Sequence, residues 1–423
     1  MKRFFSLILC ILLVLCAVPF AGCSGSPGGS APDQSELPVL KVLIDVAVGE
    51  DTSVPCNEIK AFLNNHAAGC GTEYLVEVEA LPTISQPDKR NPAITRTHME
   101  LINGGADVFL VRNYTDATGM YPDLKNLFPY PGSALRQNLF LPLDEYIEND
   151  EDWEKLLPSV TAIGSLNGSQ QLVPLDFGIK ATLIDKAKYE PAETFPMSAG
   201  QMLTGDDSVL RWAATCDGMS LLGALGNYET EKLTFSEEEL LALVREVKKA
   251  QESVNQPEMI RELGHLFAIT LGPLNEELIR SEEGVQYHMI PAYNRKSGVT
   301  AFVRTYAAIN RNTEYPDHAY SILKSFFSAE GQRNNVITGF GLPVRTGLGQ
   351  ESDPGAQDWI LEEWEYEQLT VLLEQINEVE FVTALTGELE ALFQSCASLE
   401  DNGQLEEAVH ETFARMSAMI SES

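Results

Sequence analysis

Carboxylates and histidines are the residues of this chain that could do acid–base or metal chemistry, and their pattern supports neither. The six histidines form no short-spaced cluster, and the sequence has no HExxH, no GxSxG and no Walker loop. Acidic residues number 62 of 423, so neighbouring acids carry little information. We interpret the acidic runs at 237–239 and at Glu362, Glu363 and Glu365 as solvated helix faces. The sequence therefore predicts no catalytic residue, no metal site and no cofactor.

Polar and aromatic side chains that follow a buried strand are better candidates for binding. Arg112-Asn113-Tyr114 comes directly after the apolar run 106–111, which predicts a fully buried strand. Asparagine both donates and accepts hydrogen bonds, and tyrosine adds a rigid ring face and a hydroxyl, so the pair suits a polyhydroxy ligand. Asn113 and Tyr114 are therefore candidate ligand-binding residues. The alternative is that Tyr114 only covers its own part of the protein.

Composition and charge exclude several classes of protein. The 423 residues exceed one typical domain, and the 44% hydrophobic content is enough for packed cores. The 62 acidic and 29 basic side chains give a formal net charge of -33. Because a nucleic-acid binder needs an extensive basic surface, we exclude DNA and RNA as partners.

The elements that would position these residues alternate between strand and helix in the first half of the chain. The run 39–48 predicts a strand, Ile59, Phe62 and Leu63 share a helical face, and the run 74–79 alternates as a half-buried strand does. This order predicts an α/β fold with a parallel sheet. Helical periodicity dominates from 236 to 254, where Ser236 and Glu239 form a capping-box pattern, and again from 358 onwards.

The first 22 residues have the pattern of a secretory signal peptide. A short basic start precedes an almost unbroken apolar run over 4–20. The following Ala21-Gly22-Cys23 resembles the bacterial lipoprotein signal, which implies that Cys23 is lipidated and holds the protein on the outer side of the bacterial membrane. The region 23–37 starts with a Gly, Ser and Pro-rich stretch that predicts a flexible tether. The alternative is an uncleaved N-terminal membrane anchor.

Four cysteines follow Cys23: Cys56, Cys70, Cys216 and Cys396. None of them belongs to a CxxC pair, which argues against a zinc or redox motif. Cys56 and Cys70 either form a disulfide across a short loop or, like the other two, are small buried hydrophobic residues.

Four segments, in order, resemble one family. Leu141-Pro142-Leu143-Asp144-Glu145-Tyr146-Ile147 is similar to the "pLdeyi" segment of extracellular solute-binding proteins of ABC importers, the maltose-binding-like family 1. The other three are Asn167-Gly168 with Leu172-Val173-Pro174, the stretch from Ala307 to Gln332, and Gly341-Leu342-Pro343-Val344-Arg345. Their order and spacing agree with the family over nearly the whole chain after the signal peptide.

The resemblance implies an α/β, two-lobed periplasmic-binding-protein-like fold with interleaved lobes and a hinge. One lobe would comprise residues 38–175 and 307–345, and the other residues 180–304 and 346–423. The ligand would bind in the cleft between them. The resemblance also implies a monomer.

The resemblance adds four candidate ligand-binding residues. Asp176 and Phe177 follow Pro174 at the first expected hinge crossing, where a residue either contacts the ligand or only absorbs the change in backbone angles on closure. Trp212 occupies the place where the second lobe presents an aromatic ring to a sugar, the alternative being a core tryptophan. Tyr293, close to Arg295, is a weaker candidate for the same cleft.

One departure from the family bears on the ligand. Leu274 stands where family members have an aromatic stacking residue, which argues against a maltodextrin-like ligand. The sequence therefore predicts a non-enzymatic, membrane-anchored lipoprotein that captures a small solute, foremost a sugar or oligosaccharide, and delivers it to an ABC permease. A binding or sensor lipoprotein without transport would have the same sequence features, and a secreted hydrolase is a more distant alternative.

Overall fold

The computed structural model describes residues 37–46, 51–70, 74–115, 124–191, 195–254, 256–263, 266–271, 285–339, 341–348, 363–399 and 402–422. The predicted signal peptide, almost the whole tether, Cys23, Leu274 and Glu362 lie outside these residues. Within the described ranges, no helix combines the length and the apolar character that crossing a membrane requires.

Sixteen strands and sixteen α-helices can be numbered along the described residues. The strands are β1 (Val39–Asp45), β2 (Leu75–Ala80), β3 (Val108–Arg112), β4 (Ser165–Leu166), β5 (Ser169–Gln170), β6 (Leu172–Pro174), β7 (Asp176–Phe177), β8 (Lys180–Asp185), β9 (Gly226–Asn227), β10 (Lys232–Leu233), β11 (Leu266–Thr270), β12 (Tyr287–Pro291), β13 (Val299–Val303), β14 (Thr305–Ile309), β15 (Leu342–Pro343) and β16 (Ile376–Phe381). The helices are α1 (Ser53–Cys70), α2 (Pro87–Glu100), α3 (Pro131–Arg136), α4 (Asp144–Ile147), α5 (Pro158–Thr161), α6 (Ala199–Thr204), α7 (Ser208–Thr215), α8 (Gly218–Leu221), α9 (Glu237–Ser253), α10 (Gln256–Leu263), α11 (Pro316–Phe327), α12 (Ala329–Gln332), α13 (Asn335–Thr338), α14 (Glu363–Glu374), α15 (Ala384–Cys396) and α16 (Asn402–Ser421).

A five-stranded sheet in the order β2-β1-β3-β14-β6 organises the first part of the chain. β1 is parallel to β2 and to β3, as the alternation of strands and helices predicts. β14 is antiparallel to both of its neighbours, β3 and β6, so the prediction of a purely parallel sheet is wrong at this edge. A crossover helix is the connection that usually makes consecutive strands parallel. β14 is not joined to its neighbours by such a local helix, because it enters the sheet from the later part of the chain.

The strands after β7 form two further groups. β8 lies between β11 and β12 in an antiparallel three-stranded sheet, and β13 pairs in parallel with β16. Within the described residues after 358, helices dominate, as the periodicity predicts, but one strand that was not predicted, β16, lies among them. Its sequence, Ile-Asn-Glu-Val-Glu-Phe, has apolar residues at its first, fourth and sixth positions, so it lacks the regular alternation of a half-buried strand, and its pairing depends on a partner from a distant part of the chain.

Helix α1 settles the pairing of two cysteines. Cys56 and Cys70 both belong to this one helix, where a rise of 1.5 Å per residue puts their Cα atoms about 20 Å apart. A disulfide needs Cα atoms within about 7 Å, so the two cannot pair, and Cys56 is a free thiol. Of the other thiols, Cys396 is buried as predicted, but Cys216 is exposed.

Local sequence signals locate the helices well. Ser236 caps α9, with its side chain accepting from the Glu239 amide while the Glu239 carboxylate accepts from the Ser236 amide. In α1, Ile59, Phe62 and Leu63 are all buried, as their spacing predicts. The assignment of Glu365 to a solvated face is wrong, because this side chain is 1% exposed within α14.

Candidate functional site

Three stretches of backbone cross from the five-stranded sheet to the later strands. The first is residues 175–179, between β6 and β8. The second is the single residue Arg304, which lies between the end of β13 and the start of β14. These two stretches are neighbours, because Gly178 forms an antiparallel β-bridge with Phe302. The third is residues 341–343, where β15 pairs with β7. Residues 175–179, 303–305 and 341–343 are called the crossing region below.

A cavity of about 480 Å³ lies against the crossing region. Asp176, Phe177 and Arg304 of the crossing region line it together with Thr115 after β3 and Glu390 on α15. A second cavity of about 190 Å³ adjoins it and shares Lys180 and Thr270 of its wall. The main cavity is thus bounded by residues from both sides of the crossings.

The carboxylate of Asp176 fixes the first two crossings to each other. Its Oδ1 accepts hydrogen bonds from the amides of Arg304 (3.2 Å) and Thr305 (2.7 Å), and its Oδ2 accepts one from the Thr305 hydroxyl (3.0 Å). Asp176 is 1% exposed, and burial raises the pKa of its carboxyl group, while the nearby Arg112 guanidinium and the Thr305 amide oppose that rise. This carboxylate therefore has little free capacity to bind a ligand.

The buried guanidinium of Arg112 lies beneath this carboxylate. Its Nε donates to the Thr305 hydroxyl (3.0 Å), and its two terminal nitrogens donate to the carbonyls of Val46 (3.1 Å) and Val336 (3.0 Å). Gly339 makes room for it, since a Cβ at that position would lie 2.4 Å from Arg112 Nε and Nη2. Arg112 and Asp176 thus form a buried pair of opposite charges that ties β3 to the crossing region.

Two cations face the cavities. Arg304 is exposed and Lys180 is half-buried, and neither side chain donates a hydrogen bond to another residue of the described ranges. Lys180 also lies near Asp217 on the wall of the smaller cavity, where burial raises the pKa of the Asp217 carboxyl group and Lys180 opposes the rise. The wall thus offers unused N–H donors.

Apart from its charged residues, the described part of the main cavity wall is apolar or weakly polar. Phe177 and Phe302 are 1% and 5% exposed, and Met219 completes the apolar part. Glu390 is half-buried and provides the carboxylate with free acceptor capacity on this wall. Such a mixture of apolar surface and a few polar groups is typical of small-molecule sites.

The two parts of the chain also touch away from the crossings. Thr115 lies 3.7 Å from the position that a Cβ on Gly387 of α15 would take. The ring of Tyr228, between β9 and β10, packs so closely on Gly132 of α3 that a Cβ there would be 2.3 Å away. Arg136 of α3 forms an ion pair with Glu231 of the same β9–β10 turn. These contacts bring the β9–β10 hairpin and α15 against elements of the first part.

The structure brings two of the six predicted binding residues, Asp176 and Phe177, to the cavity. Tyr114 precedes the lining residue Thr115; its backbone amide and carbonyl are bonded to the Asn126 side chain, and burial raises the pKa of its hydroxyl. Asn113 is fully buried, donating to the Phe128 carbonyl (3.3 Å) and accepting from the Tyr306 hydroxyl (3.4 Å).

The other two candidates lie in packed surroundings and are absent from the lining of both cavities. Trp212 on α7 is 8% exposed, which favours the core alternative for this side chain. Tyr293 is 1% exposed, donates its hydroxyl to Gln375 (2.8 Å) and stacks on Phe195. Their role in binding stays a prediction that mutation can test.

Lys180, Arg304 and Glu390 are the charged residues of the main cavity wall that sequence reasoning missed. A signal for two of them exists. Arg304 interrupts the otherwise uncharged run 299–309, and Lys180 interrupts the mainly apolar stretch between Phe177 and Ile184. A lone cation inside such a run marks a place where the chain leaves one buried strand and enters the next. Glu390 has no comparable signal, because its helix carries a second acid, Glu388, two positions earlier.

No arrangement for catalysis is apparent at this site. Within the ranges that the structure describes, no three His, Cys, Asp or Glu side chains group closely enough to hold a metal ion. Cys216 is an exposed residue on the wall of the smaller cavity, but the loss of hydration there and the neighbouring Asp217 carboxylate raise the pKa of its thiol to about 12, so it carries almost no thiolate at neutral pH. The geometry fits binding.

Comparison with known proteins identifies the fold. The chain is similar to a periplasmic oligogalacturonide binding protein from Yersinia enterocolitica (TM-score 0.56, 12% identity, 91% of this chain and 99% of that chain). It is also similar to a cyclic alpha-maltosyl-1,6-maltose binding protein from Arthrobacter globiformis (0.55, 11%, 92% and 100%) and to an extracellular solute-binding protein family 1 from Alicyclobacillus acidocaldarius (0.54, 12%, 93% and 100%). No family model and no curated protein matches the sequence. At these identities the likeness establishes architecture: the chain has the two-lobed α/β fold of periplasmic binding proteins, as the sequence predicts.

Proposed function

We propose that this protein is a solute-binding protein of an ABC importer, which takes up one small polar solute in the cavity at the crossing region and passes it to a permease. The observation that carries this proposal is the cavity itself, whose wall combines residues from both sides of the crossings. Its volume of about 480 Å³ is in the range of small-molecule sites. A carbohydrate is the class of solute that two structural neighbours bind according to their names.

The assignment of the lobes follows from the same crossings. We assign residues 38–175 and 307–345 to one lobe and residues 180–304 and 346–423 to the other. The sheets support this division, because β1, β2, β3, β6 and β14 form one sheet whereas β8, β11 and β12 form another. The boundary near 305 falls at Arg304, where β13 and β14 belong to different sheets.

The mechanism is a clamp with two states. A ligand that contacts Thr115 after β3, in one lobe, and Glu390 on α15, in the other, touches both walls only when the lobes are closed, and this difference in contacts drives closure. Shifting such an equilibrium from 1:99 to 99:1 takes about 5.5 kcal/mol of preference for the closed state. Several hydrogen bonds at roughly 1 kcal/mol each, with burial of the apolar face of a sugar, are of that order.

Membrane attachment through Cys23 completes the proposal. A lipid-anchored protein on a short tether stays close to a permease in the same membrane. Labelling cells with a radioactive fatty acid should mark the wild type and leave Cys23→Ser unlabelled. Equal labelling of both proteins would refute the anchor, while the solute-binding role would be tested separately.

A thermal-shift screen over monosaccharides, oligosaccharides, peptides and oxyanions tests the binding role. A cognate ligand at a hundredfold excess over its Kd should stabilise the folded protein by about 2.7 kcal/mol. In Thr115→Trp the indole fills the cavity and should abolish the shift, whereas Thr95→Trp on an exposed helix position is the matched control and should preserve it. Absence of any shift over all ligand classes would contradict the proposal.

A further inference from the structure

We propose that the ligand is an acidic saccharide, with a carboxylate or sulfate group that Arg304 and Lys180 bind. This inference rests on the proposed function and specifies the chemical class of its solute. It concerns residues that sequence reasoning did not single out, and it is argued from the hydrogen-bonding capacity of the cavity wall.

The first step is the unused capacity of the two cations. Most arginine side chains of the described ranges have partners in the fold, as Arg90 does with Asp45 through two hydrogen bonds of 2.7 Å. By contrast, the side-chain N–H groups of Arg304 and Lys180 have no hydrogen-bond partner among the described residues, although the chain carries a net charge of -33. Other cations without a side-chain partner among the described residues, such as Arg311, lie outside the cavity lining, whereas these two lie on one wall, where a ligand rich in acceptors can bind both.

The second step concerns the acids on the same walls. Asp176 is buried and accepts three hydrogen bonds from protein groups. Because the Arg112 guanidinium is already a counter-charge of this carboxylate, Asp176 compensates only part of the positive charge of Arg304. Asp217 attracts Lys180 and accepts from the Ser220 hydroxyl, in the smaller cavity. Glu390 keeps free acceptor capacity, which suits the hydroxyl groups of a sugar but opposes a second negative charge.

The third step is the balance of donors and acceptors. Sugar hydroxyls both donate and accept, so a neutral sugar is matched by a wall with similar numbers of both kinds of group. Among the described residues, the charged groups of this wall are Arg304, Lys180, Asp176 and Glu390. Because protein donors already occupy the Asp176 carboxylate, two cations face one available carboxylate, next to the apolar surface of Phe177, Phe302 and Met219. Low local polarity strengthens charge-assisted hydrogen bonds, and a guanidinium matches the two oxygens of a carboxylate. A ligand with one anionic group and several hydroxyl groups therefore matches the hydrogen-bonding groups of this wall.

The experiment compares pairs of ligands that differ only in charge. D-galacturonate, D-glucuronate and short oligogalacturonides are titrated into the purified protein by calorimetry, each beside its carboxyl-reduced counterpart, and glucose 6-sulfate is titrated beside glucose. We expect an acidic member to bind at least tenfold more tightly than its neutral partner. The carboxylate and sulfate arms distinguish the two anionic groups, and inorganic sulfate alone tests for binding of the anion without a sugar.

Variants assign the effect to the two cations. Arg304→Gln and Lys180→Gln should each weaken binding of the acidic ligand at least tenfold and leave the neutral partner within a factor of two or three. Glu390→Gln should strengthen the acidic ligand selectively, because it removes a repelling charge. Arg311→Gln, another exposed arginine outside the cavity lining, is the matched control and should change nothing.

Other outcomes overturn the inference and leave the proposed function distinguishable. Neutral sugars that bind as tightly as the acids, with Arg304→Gln unchanged, would show that the protein binds solutes without selecting acids. Binding of none of these compounds, together with a thermal shift by a peptide, would equally exclude the acidic saccharide while supporting solute binding. Inorganic sulfate binding as tightly as the sugar acids would exclude a saccharide site.

Discussion

Asp176 and Thr305, which are 129 positions apart in the sequence, are joined by two hydrogen bonds: the Thr305 amide donates to Oδ1 (2.7 Å) and its hydroxyl to Oδ2 (3.0 Å) of the same carboxylate. The two residues belong to different crossings between the sheets. The bond pair therefore fixes the geometry of the crossing region, from which one wall of the cavity is built.

Removing the charge at Asp176 should destabilise the fold. In Asp176→Asn the buried Arg112 guanidinium loses its counter-charge, and an amide nitrogen replaces one acceptor oxygen. We expect a loss of about 3 kcal/mol in the free energy of unfolding, measured in urea. Asp206→Asn, at an exposed position, is the matched control and should change stability by less than about 0.5 kcal/mol. Equal stability of both variants would show that the buried pair contributes nothing.

Gly339 offers a steric test of the same network. Its φ of +61° is unfavourable for other residues, and a Cβ would collide with the Arg112 guanidinium at 2.4 Å. Gly339→Ala should therefore cost about 3 kcal/mol, from the backbone conformation and the collision together. Gly347→Ala has a similar φ of +77° and open space around it, so it should cost only about 1 kcal/mol. Equal costs at both positions would argue that Arg112 moves away freely.

The carboxyl group of Glu380 on β16 should make the stability of the fold depend on pH. Its carboxylate accepts from the amides of Leu225 (2.5 Å), Gly226 (3.3 Å) and Phe381 (3.0 Å), but burial raises its pKa from 4.5 to about 7. Because the folded state holds this proton more tightly than the unfolded state, the contribution of Glu380 to stability is greatest at low pH and decreases as the pH rises from 4.5 to 7.

The measurement compares unfolding free energies at pH 5 and pH 8 in the wild type and in Glu380→Gln. The wild type should lose up to about 3 kcal/mol more than the variant over this interval, since one pKa unit corresponds to about 1.4 kcal/mol. Parallel pH profiles of the two proteins would mean that the pKa of Glu380 is not raised.

Trp212 separates a packing role from a ligand contact. Since the side chain is 8% exposed on α7, we expect Trp212→Ala to lower the free energy of unfolding by about 3–5 kcal/mol and to leave the affinity of the folded protein nearly normal. A melting temperature close to that of the wild type, with affinity reduced severalfold or more, would instead support the stacking role that the sequence predicts for this residue.

Local patterns carried the parts of the fold that the sequence could predict. The capping box at Ser236, the buried face of α1 and strands β1, β2 and β3 depend on residues within a few positions of one another. β16 was missed because two of its six residues are glutamates, and Glu380 is accommodated there by amides about 155 positions away. Hydrogen bonds between residues so far apart in the sequence cannot be predicted from the local periodicity of hydrophobic residues.

The site could be predicted only in part for a related reason. Asp176 and Phe177 were found because a recognisable segment precedes them, and both line the cavity. Lys180, Arg304 and Glu390 come from three distant parts of the chain, and only the crossing of the sheets brings them to one wall. Trp212 is a candidate by residue type and position; its 8% exposure in α7 favours the core alternative, and its role in binding stays a prediction.

The clamp is tested most directly by small-angle X-ray scattering of the protein without ligand and saturated with the tightest ligand of the screen. Closure of the lobes about the crossing region should decrease the radius of gyration beyond the experimental error, and Thr115→Trp, with its cavity filled, should show no response to the same ligand. An unchanged radius of gyration at proven saturation would contradict the clamp and would indicate a rigid binding site.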